Sequence, residues 1–397
     1  MSAEEVERLL LNKQQLGPIT CLDCTKMDIV SAHQRLGQDA RAQIHKTLRR
    51  RFELLGGPEQ FASQIRRARQ YQVALAGKPD SLPIDDPVQT AIRQYQACLA
   101  AWADGAGLGK YQHAYMNQPV DGLPVNAKDL ATLLQEDETG CQTGVLREAG
   151  GAVILWHTEE DYEETPGQRF DQLRLFTFRA AGDQVTCGFT YPDLLPGPTF
   201  GWQVGDFAQA IDSLHVRPVN FEDAILPNTL AWLSLYLGAR ISRSQLAAKL
   251  GPFQGGYSLT AVSKKGGQAG VEKLDFANNQ AVASTLEEAP GSSLFQTNVI
   301  RDLSLPIGRE EKTSPESRAW NEKRMARTTR LLRVIQNSAD GLGPVFRLLR
   351  SRLGGPSAYA NSDVKAYFVC RMAADETSIY VGAGPALRGD DLFTLEM

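Results

Sequence analysis

Between Glu138 and Asp161 the sequence constrains the fold more tightly than anywhere else. It runs Glu138-Thr139-Gly140-Cys141-Gln142-Thr143-Gly144 and then reaches Arg147-Glu148-Ala149-Gly150-Gly151. It returns through Ala152-Val153-Ile154-Leu155-Trp156 to His157-Thr158-Glu159-Glu160-Asp161. Two β-rich runs around a Gly-Gly turn predict a hairpin. A hairpin of this length folds the polar cluster at its far end back beside Cys141. The Cys141 thiol can attack the carbonyl of the preceding residue, Gly140, to give a thioester that water opens. The new chain would begin at Cys141 with a free α-amine, able to act as base for its own thiolate. A cysteine in a strand can equally be plain buried packing; the polar cluster opposite is what favours chemistry.

Bulk properties set the outer limits. With 397 residues, 42% hydrophobic and 22% charged, the chain can bury a large core in the manner of ordinary globular proteins. A net charge of −4 and a pI of about 5.9 give no basic field to recruit nucleic acid. The acidic, polar start Met1-Ser2-Ala3-Glu4-Glu5 is unlike a secretory signal, and no apolar run approaches the roughly 18 residues that span a bilayer. The expectation is a cytoplasmic protein with neither membrane nor nucleic acid as partner. Its cysteines, Cys21, Cys24, Cys98, Cys141, Cys187 and Cys370, are then expected to be reduced. Cys21-x-x-Cys24 lacks a second pair or a close His pair, so no metal site is expected.

The first 130 residues read mostly as helix. Apolar spacing supports helices over Glu4–Gln14, Asp28–Leu55 and Glu59–Leu75, another from Asp86-Pro87 to Ala101, and a short one at Asn126–Leu134. Gly105-Ala106-Gly107-Leu108-Gly109-Lys110 fails the phosphate-loop spacing, because Asp104 and Tyr111 stand at required positions, and reads as a flexible turn. From Cys141 on the texture changes to strand: Ala152–Trp156, Leu173–Phe178, Gln184–Phe189, and a hairpin from Phe200 to Ile211. Helices over Asn228–Ala239 and Ser242–Leu250 follow, then strands Ser258–Ser263 and Ala269–Leu274, a short strand from Phe295, and a basic helix over Pro315–Arg333 with an exposed charged face. The paired strands Val364–Met372 and Thr377–Val381 come last. This order suits an α+β sandwich of two stacked antiparallel sheets between helix layers.

In this order and spacing the motifs resemble the isopenicillin N acyltransferase (acyl-coenzyme A:6-aminopenicillanate acyltransferase) family of N-terminal-nucleophile hydrolases. Leu36-Gly37-Gln38-Asp39-Ala40 looks like that family's early helix start, Gly140-Cys141 like its self-cleavage point, and His157-Thr158-Glu159-Glu160 like its His-Asn-Glu-Asp cluster. The hairpin from Phe200-Gly201-Trp202 to Ala210-Ile211-Asp212-Ser213-Leu214 also matches. So do Gly255-Gly256-Tyr257 through Val271-Glu272, Gln296-Thr297-Asn298 and Gly382-Ala383-Gly384-Pro385. Thr158, Glu160 and Asp212 depart from the family pattern, Glu159 competes with Glu160 for the acidic position, and Asn361 falls where some members carry an Arg.

The resemblance implies a four-layer αββα N-terminal-nucleophile hydrolase sandwich. A helical section, residues 1–140, would be cut from, and stay bound to, a catalytic core running over 141–397. It implies that Cys141 cleaves after Gly140 and then acts on a linear amide through an acyl-thioester, as hydrolase or acyltransferase. Asn298 would be the oxyanion donor, and Glu159 or Glu160 would orient the α-amine. His157, Thr158, Asp212 and Tyr257 would line the site; Leu194, Phe200, Trp202, Phe253 and Tyr257 could form an apolar acyl pocket. No cofactor is implied, although acyl-coenzyme A could serve as acyl donor. The partners would be a small amide or acyl substrate and the protein's own cleaved chain. Two other readings stand beside this one: a thiol hydrolase pairing Cys141 with His157, and an uncleaved, non-catalytic binding protein.

Overall fold

A computed structural model describes residues 20–54, 59, 62, 72–109, 141–160, 173–214, 225–298, 315–335, 341–350, 364–383 and 392–396, apart from 193, 254–255, 278–279 and 287. β1 (Thr20–Asp23) precedes α1 (Ile29–Leu54) and α2 (Pro87–Ala106). Then come β2 (Gln142–Arg147), β3 (Val153–Glu160), β4 (Arg174–Arg179), β5 (Val185–Thr190), β6 (Phe200–Gln203) and β7 (Phe207–Ser213). After α3 (Pro227–Leu237) and α4 (Arg243–Leu250) the strands resume as β8 (Gly256–Lys265), β9 (Gln268–Ala277), β10 (Gln280–Thr285) and β11 (Ser293–Gln296). α5 (Pro315–Ile335), α6 (Leu342–Arg350), β12 (Val364–Met372), β13 (Thr377–Ala383) and β14 (Leu392–Glu396) complete the order.

The residue pattern does not predict β1, β10, β14 or α6. The first three are short strands held by pairing to a neighbour rather than by strong alternation of their own. Expected helices at Glu4–Gln14 and Asn126–Leu134, and most of Glu59–Leu75, lie outside the described residues.

Two sheets form. The larger runs β1-β4-β5-β6-β7-β8-β9-β10 and the smaller β11-β2-β3-β12-β13-β14. β1 runs parallel to β4, and neighbouring strands elsewhere in both sheets are antiparallel.

Alternation along each strand sends its residues to two different cores. On one face of the large sheet, Phe176, Ile211, Leu259 and Phe276 pack with Leu36, Leu99, Trp232 and Leu246 from α1 to α4. On its other face Phe189, Phe200, Ala210 and Val271 meet Val145, Leu155, Phe368 and Val381 of the small sheet. α5 and α6 cover the remaining face, with Leu332, Val345 and Leu349 against Leu146, Ile154 and Trp156. The result is the expected α+β, four-layer αββα sandwich.

Local chemistry sets the helix ends. Asp86 caps α2 by accepting from the Val88 N–H at 2.9 Å, with Pro87 in the first turn. Gly107 ends α2 at φ +68°, a left-handed conformation open to glycine. Ser242 and Gln245 form a capping box on α4. The expected flexible turn at Gly105 is therefore corrected: Gly105 sits in the last turn of α2, and only Gly107 onward leaves the helix. Gly37 likewise lies inside α1, not at a helix start.

Both glycines serve the α1–α2 crossing. A Cβ on Gly37 would come within 2.0 Å of the Trp102 carbonyl oxygen, and one on Gly105 within 2.1 Å of the Gln34 carbonyl oxygen. His33, one turn before Gly37, is fully buried. It bonds the Ile29 carbonyl through Nδ1 and accepts from Trp232 Nε1, tying α1 to α3. Burial pushes its pKa down to about 4, which keeps the ring neutral.

α5 is not simply an exposed basic face. Lys323, Arg330 and Arg333 are exposed, but Arg324 is buried between Asn321 and Thr328, which share its side of the helix. Among the described residues no helix is long and apolar enough to cross a membrane.

Gly105→Ala is expected to lower stability by about 2 kcal/mol, because the backbone of α1 must move to admit the methyl. Gly77→Ala, at φ −81° with no atom within 4 Å of the added carbon, should be neutral or slightly stabilising. Thermal unfolding of the two variants beside the wild type checks the contrast.

Candidate active site

The β2–β3 hairpin builds the site by register. Thr143 pairs with His157, Val145 with Leu155 and Arg147 with Val153 around the turn at Glu148–Gly151. Val145, Val153 and Leu155 face the inter-sheet core, so Thr143, His157 and Glu159, in step with them, face the same way. Leu146, Ile154 and Trp156 face α5 and α6. Cys141 stands just before β2, opposite the end of β3. Its sulfur, a ring nitrogen of His157 and a carboxylate oxygen of Glu159 all lie within 4.8 Å of one another.

Hydrogen bonds fix these groups. His157 Nε2 meets Glu159 Oε2 at 3.0 Å, and the Tyr191 hydroxyl donates to Glu159 Oε1 at 2.5 Å. His157 Nδ1 lies 2.9 Å from the Thr143 hydroxyl, so both ring nitrogens are engaged. Asp212, at the end of β7 in the opposite sheet, places Oδ1 3.9 Å from His157 Nδ1. Its carboxyl is completely buried, and neither oxygen has a well-formed hydrogen bond; the Thr143 hydroxyl lies between it and His157. Burial pushes the Asp212 pKa up from 3.8 to about 7, against the pull of His157, Thr143 and Lys273, with Glu159 adding to the rise.

The remaining cysteines separate by environment. Burial raises the thiol of Cys24 to about 11 and those of Cys98, Cys187 and Cys370 to about 12, which leaves them protonated and inert. Cys21 and Cys141 are only half-buried.

Continuing the β11–β2 register beyond Gln296 and Thr143 sets Asn298 opposite Cys141. Its Nδ2 donates to the Ser213 carbonyl at 2.8 Å and the Ser213 hydroxyl at 3.1 Å, while its Oδ1 is buried without a partner. The amide nitrogen is thus turned toward Ser213.

Of the two adjacent acids, Glu159 is in the cluster; the side chain of Glu160, like Gly140, lies outside the described residues. Thr158 pairs with Gln142 and Tyr367 on the helix-covered face, away from His157. Tyr257 stacks on Phe276 on the helix side of the large sheet. The five apolar residues expected around an acyl group are split. Leu194, Phe200 and Trp202 belong to the inter-sheet core, whereas Phe253 and Tyr257 join the core beneath the helices. They do not share one pocket, since a sheet lies between them.

The structure adds Tyr191 and Thr143 to the site. Thr143 was legible, two residues after Cys141 on the same strand face. Tyr191 reaches Glu159 across 32 residues of sequence and two sheets, and no local pattern announces that. Cys141, His157 and Glu159 are also the described set of donors that could hold a metal ion. The His157–Glu159 bond already gives two of them a defined arrangement without one.

No protein-family model matches the chain, and no curated protein matches it. Among solved structures, the chain is similar to the Caenorhabditis elegans N-acylethanolamine-hydrolyzing acid amidase (NAAA) ortholog at 13% identity. The match covers 58% of this chain and 92% of that one, with a TM-score of 0.40. A likeness this slight leaves the functional assignment to the geometry of the site.

The buried Asp212 predicts a pH dependence. Because the folded carboxyl titrates near 7 instead of 3.8, the folded state holds the proton longer, and stability falls as pH rises from about 4 to about 7. The full cost above that range is on the order of 4 kcal/mol. Asp212→Asn should gain on the wild type between pH 5 and pH 8 in thermal melts, the difference widening with pH.

Proposed function

We propose that this protein is a self-processing cysteine amidohydrolase whose nucleophile is Cys141. The observation that carries the reading is the half-buried thiol at the head of an inner strand, clustered with His157 and a Glu159 carboxylate anchored by Tyr191. In the first step the Cys141 sulfur adds to the Gly140 carbonyl and the peptide nitrogen leaves with a proton, forming a thioester. Water then opens it, freeing the Gly140 carboxylate and the thiol. Chains of 140 and 257 residues result, the second beginning with the α-amine of Cys141.

The two chains would stay associated. β1 pairs along β4, Asp39 holds Arg174 at 2.6 Å, and His33 is locked to Trp232, all across the cleavage point. Residues before 140 supply part of the core beneath the large sheet.

In the mature site the α-amine would take the thiol proton and later deliver it to the departing amine. Glu159, with one oxygen on His157 and the other on Tyr191, has a fixed orientation and would hold that ammonium in place. Asn298 would stabilise the oxyanion by turning an amide hydrogen from Ser213 toward the tetrahedral carbon's oxygen. Water as acceptor makes the reaction a hydrolysis; an amine in its place makes it an acyl transfer.

The thiol-pair reading draws on the closeness of Cys141 and His157. It is the weaker, because Thr143 and Glu159 already engage both imidazole nitrogens, whereas a direct base needs one turned to the sulfur.

Intact mass under denaturing conditions tests the proposal. Wild-type protein should give two chains split between Gly140 and Cys141, and Cys141→Ala should give one. A single chain in both after prolonged incubation removes the α-amine from the mechanism and leaves the thiol-pair reading in front. In protein that has processed itself, Glu159→Gln should lower amide turnover by about a hundredfold, measured as kcat across pH 5 to 9.

A further inference from the structure

Asp212, Ser258 and Asp275 lie side by side across β7, β8 and β9, paired in register. Ala210, Val262 and Val271, an even number of residues away on the same strands, belong to the inter-sheet core, so all three polar side chains face the small sheet. Lys273, two residues before Asp275 on that face, donates to Asp275 Oδ2 at 2.5 Å.

What remains is one-sided. Both carboxylate oxygens of Asp212, the Ser258 hydroxyl oxygen, Asp275 Oδ1 and Asn298 Oδ1 have no well-formed hydrogen bond, although the Thr143 hydroxyl lies close to Asp212. All are deeply buried: Asp212 and Ser258 are 0% exposed, Asn298 1% and Asp275 7%. Lys273 spends one ammonium hydrogen on Asp275 Oδ2, and the acceptors left over still outnumber the donors at hand, which are the Ser258 hydroxyl and the rest of that ammonium. Buried polar atoms are normally paired, and exceptions concentrate where a ligand completes the network.

We infer that the Asp212–Ser258–Asp275 row binds a protonated amine of the substrate, so that the amide presented to Cys141 belongs to a cationic molecule. The identification of a substrate rests on the amidohydrolase reading; the binding of the amine does not. An ammonium brings three donors and a positive charge, which is the complement of this set. Neighbouring strands are about 4.8 Å apart, so the row extends roughly 10 Å from Asp212, which already touches the His157 cluster. That reach suits an amine a few bonds from the scissile carbonyl. The high pKa of Asp212 fits the same picture, because a bound cation would favour its ionised form.

Calorimetry with 4-aminobutanamide and its uncharged isostere pentanamide tests the inference. The wild type should bind the amine at least tenfold more tightly, and both Ser258→Ala and Asp275→Asn should reduce that advantage, Asp275→Asn by about tenfold. A single cooperative melting transition well above the assay temperature would show that each variant is folded. Equal affinity for the two amides, or no binding of the amine at tens of millimolar, overturns the inference. An advantage that survives in both variants overturns it too, by putting the ammonium elsewhere. Amine binding without hydrolysis of either amide would keep the subsite and remove the catalytic reading. Faster hydrolysis of pentanamide would do the reverse.

Discussion

The register of the β2–β3 hairpin holds the site together. With Thr143 opposite His157, one strand face carries Thr143, Val145, Val153, Leu155, His157 and Glu159 into the space between the sheets. Slipping the pairing by one residue would turn Thr143 and its inner neighbours toward the helices and separate Cys141 from its partners. Gly144 helps to pin that register. A Cβ there would lie 1.9 Å from the Trp156 ring, so the indole covers the backbone at that point and anchors the hairpin in the core beneath α5 and α6.

Against this frame, polar groups are buried in two different conditions. Some are satisfied at nearly every atom and are structural. Arg243, completely buried, donates to Ser234, Gly238 and Ile241 and lies over the Phe207 ring, fastening α4 to the turn after α3. Its surroundings answer nearly every donor, as a buried charge requires. Glu159 is similar, with a donor on each oxygen. Asp212, Ser258 and Asp275 are the opposite case, acceptors left over in the inter-sheet layer beside the thiol. The difference between the two groups separates scaffold from candidate subsite, and the row gives the proposed hydrolase a substrate chemistry of its own.

The helical N-terminal part is joined to the rest by more than apolar contact. β1 extends the large sheet, Asp39 holds Arg174, and the Lys249 ammonium bonds the carboxylate of Asp86 at the start of α2. These links cross residues 140 and 141, which is why the proposed cleavage would alter the chemistry of Cys141 without dividing the core.

Much of this was legible in the residues. The apolar run Ala152–Trp156 and the Gly-Gly turn gave the β2–β3 hairpin and brought the polar cluster back beside Cys141, because strand and turn signals are local. Asp86-Pro87 and Ser242 marked helix starts through side-chain capping, which is equally local. Sequence could not choose between Glu159 and Glu160; the bond that anchors Glu159 comes from Tyr191, just after β5 in the other sheet. It did not find Tyr191, Ser258 or Asp275, whose partners are set by the pairing of distant strands and the stacking of two sheets. Nor could it tell that Leu194 and Tyr257 lie on opposite sides of one sheet, or that Arg324 is buried. Sequence by itself determined the nucleophile candidate, the hairpin and the helix caps; tertiary structure alone decided which acids, hydroxyls and amides surround the thiol, because those contacts are made through space between residues far apart along the chain.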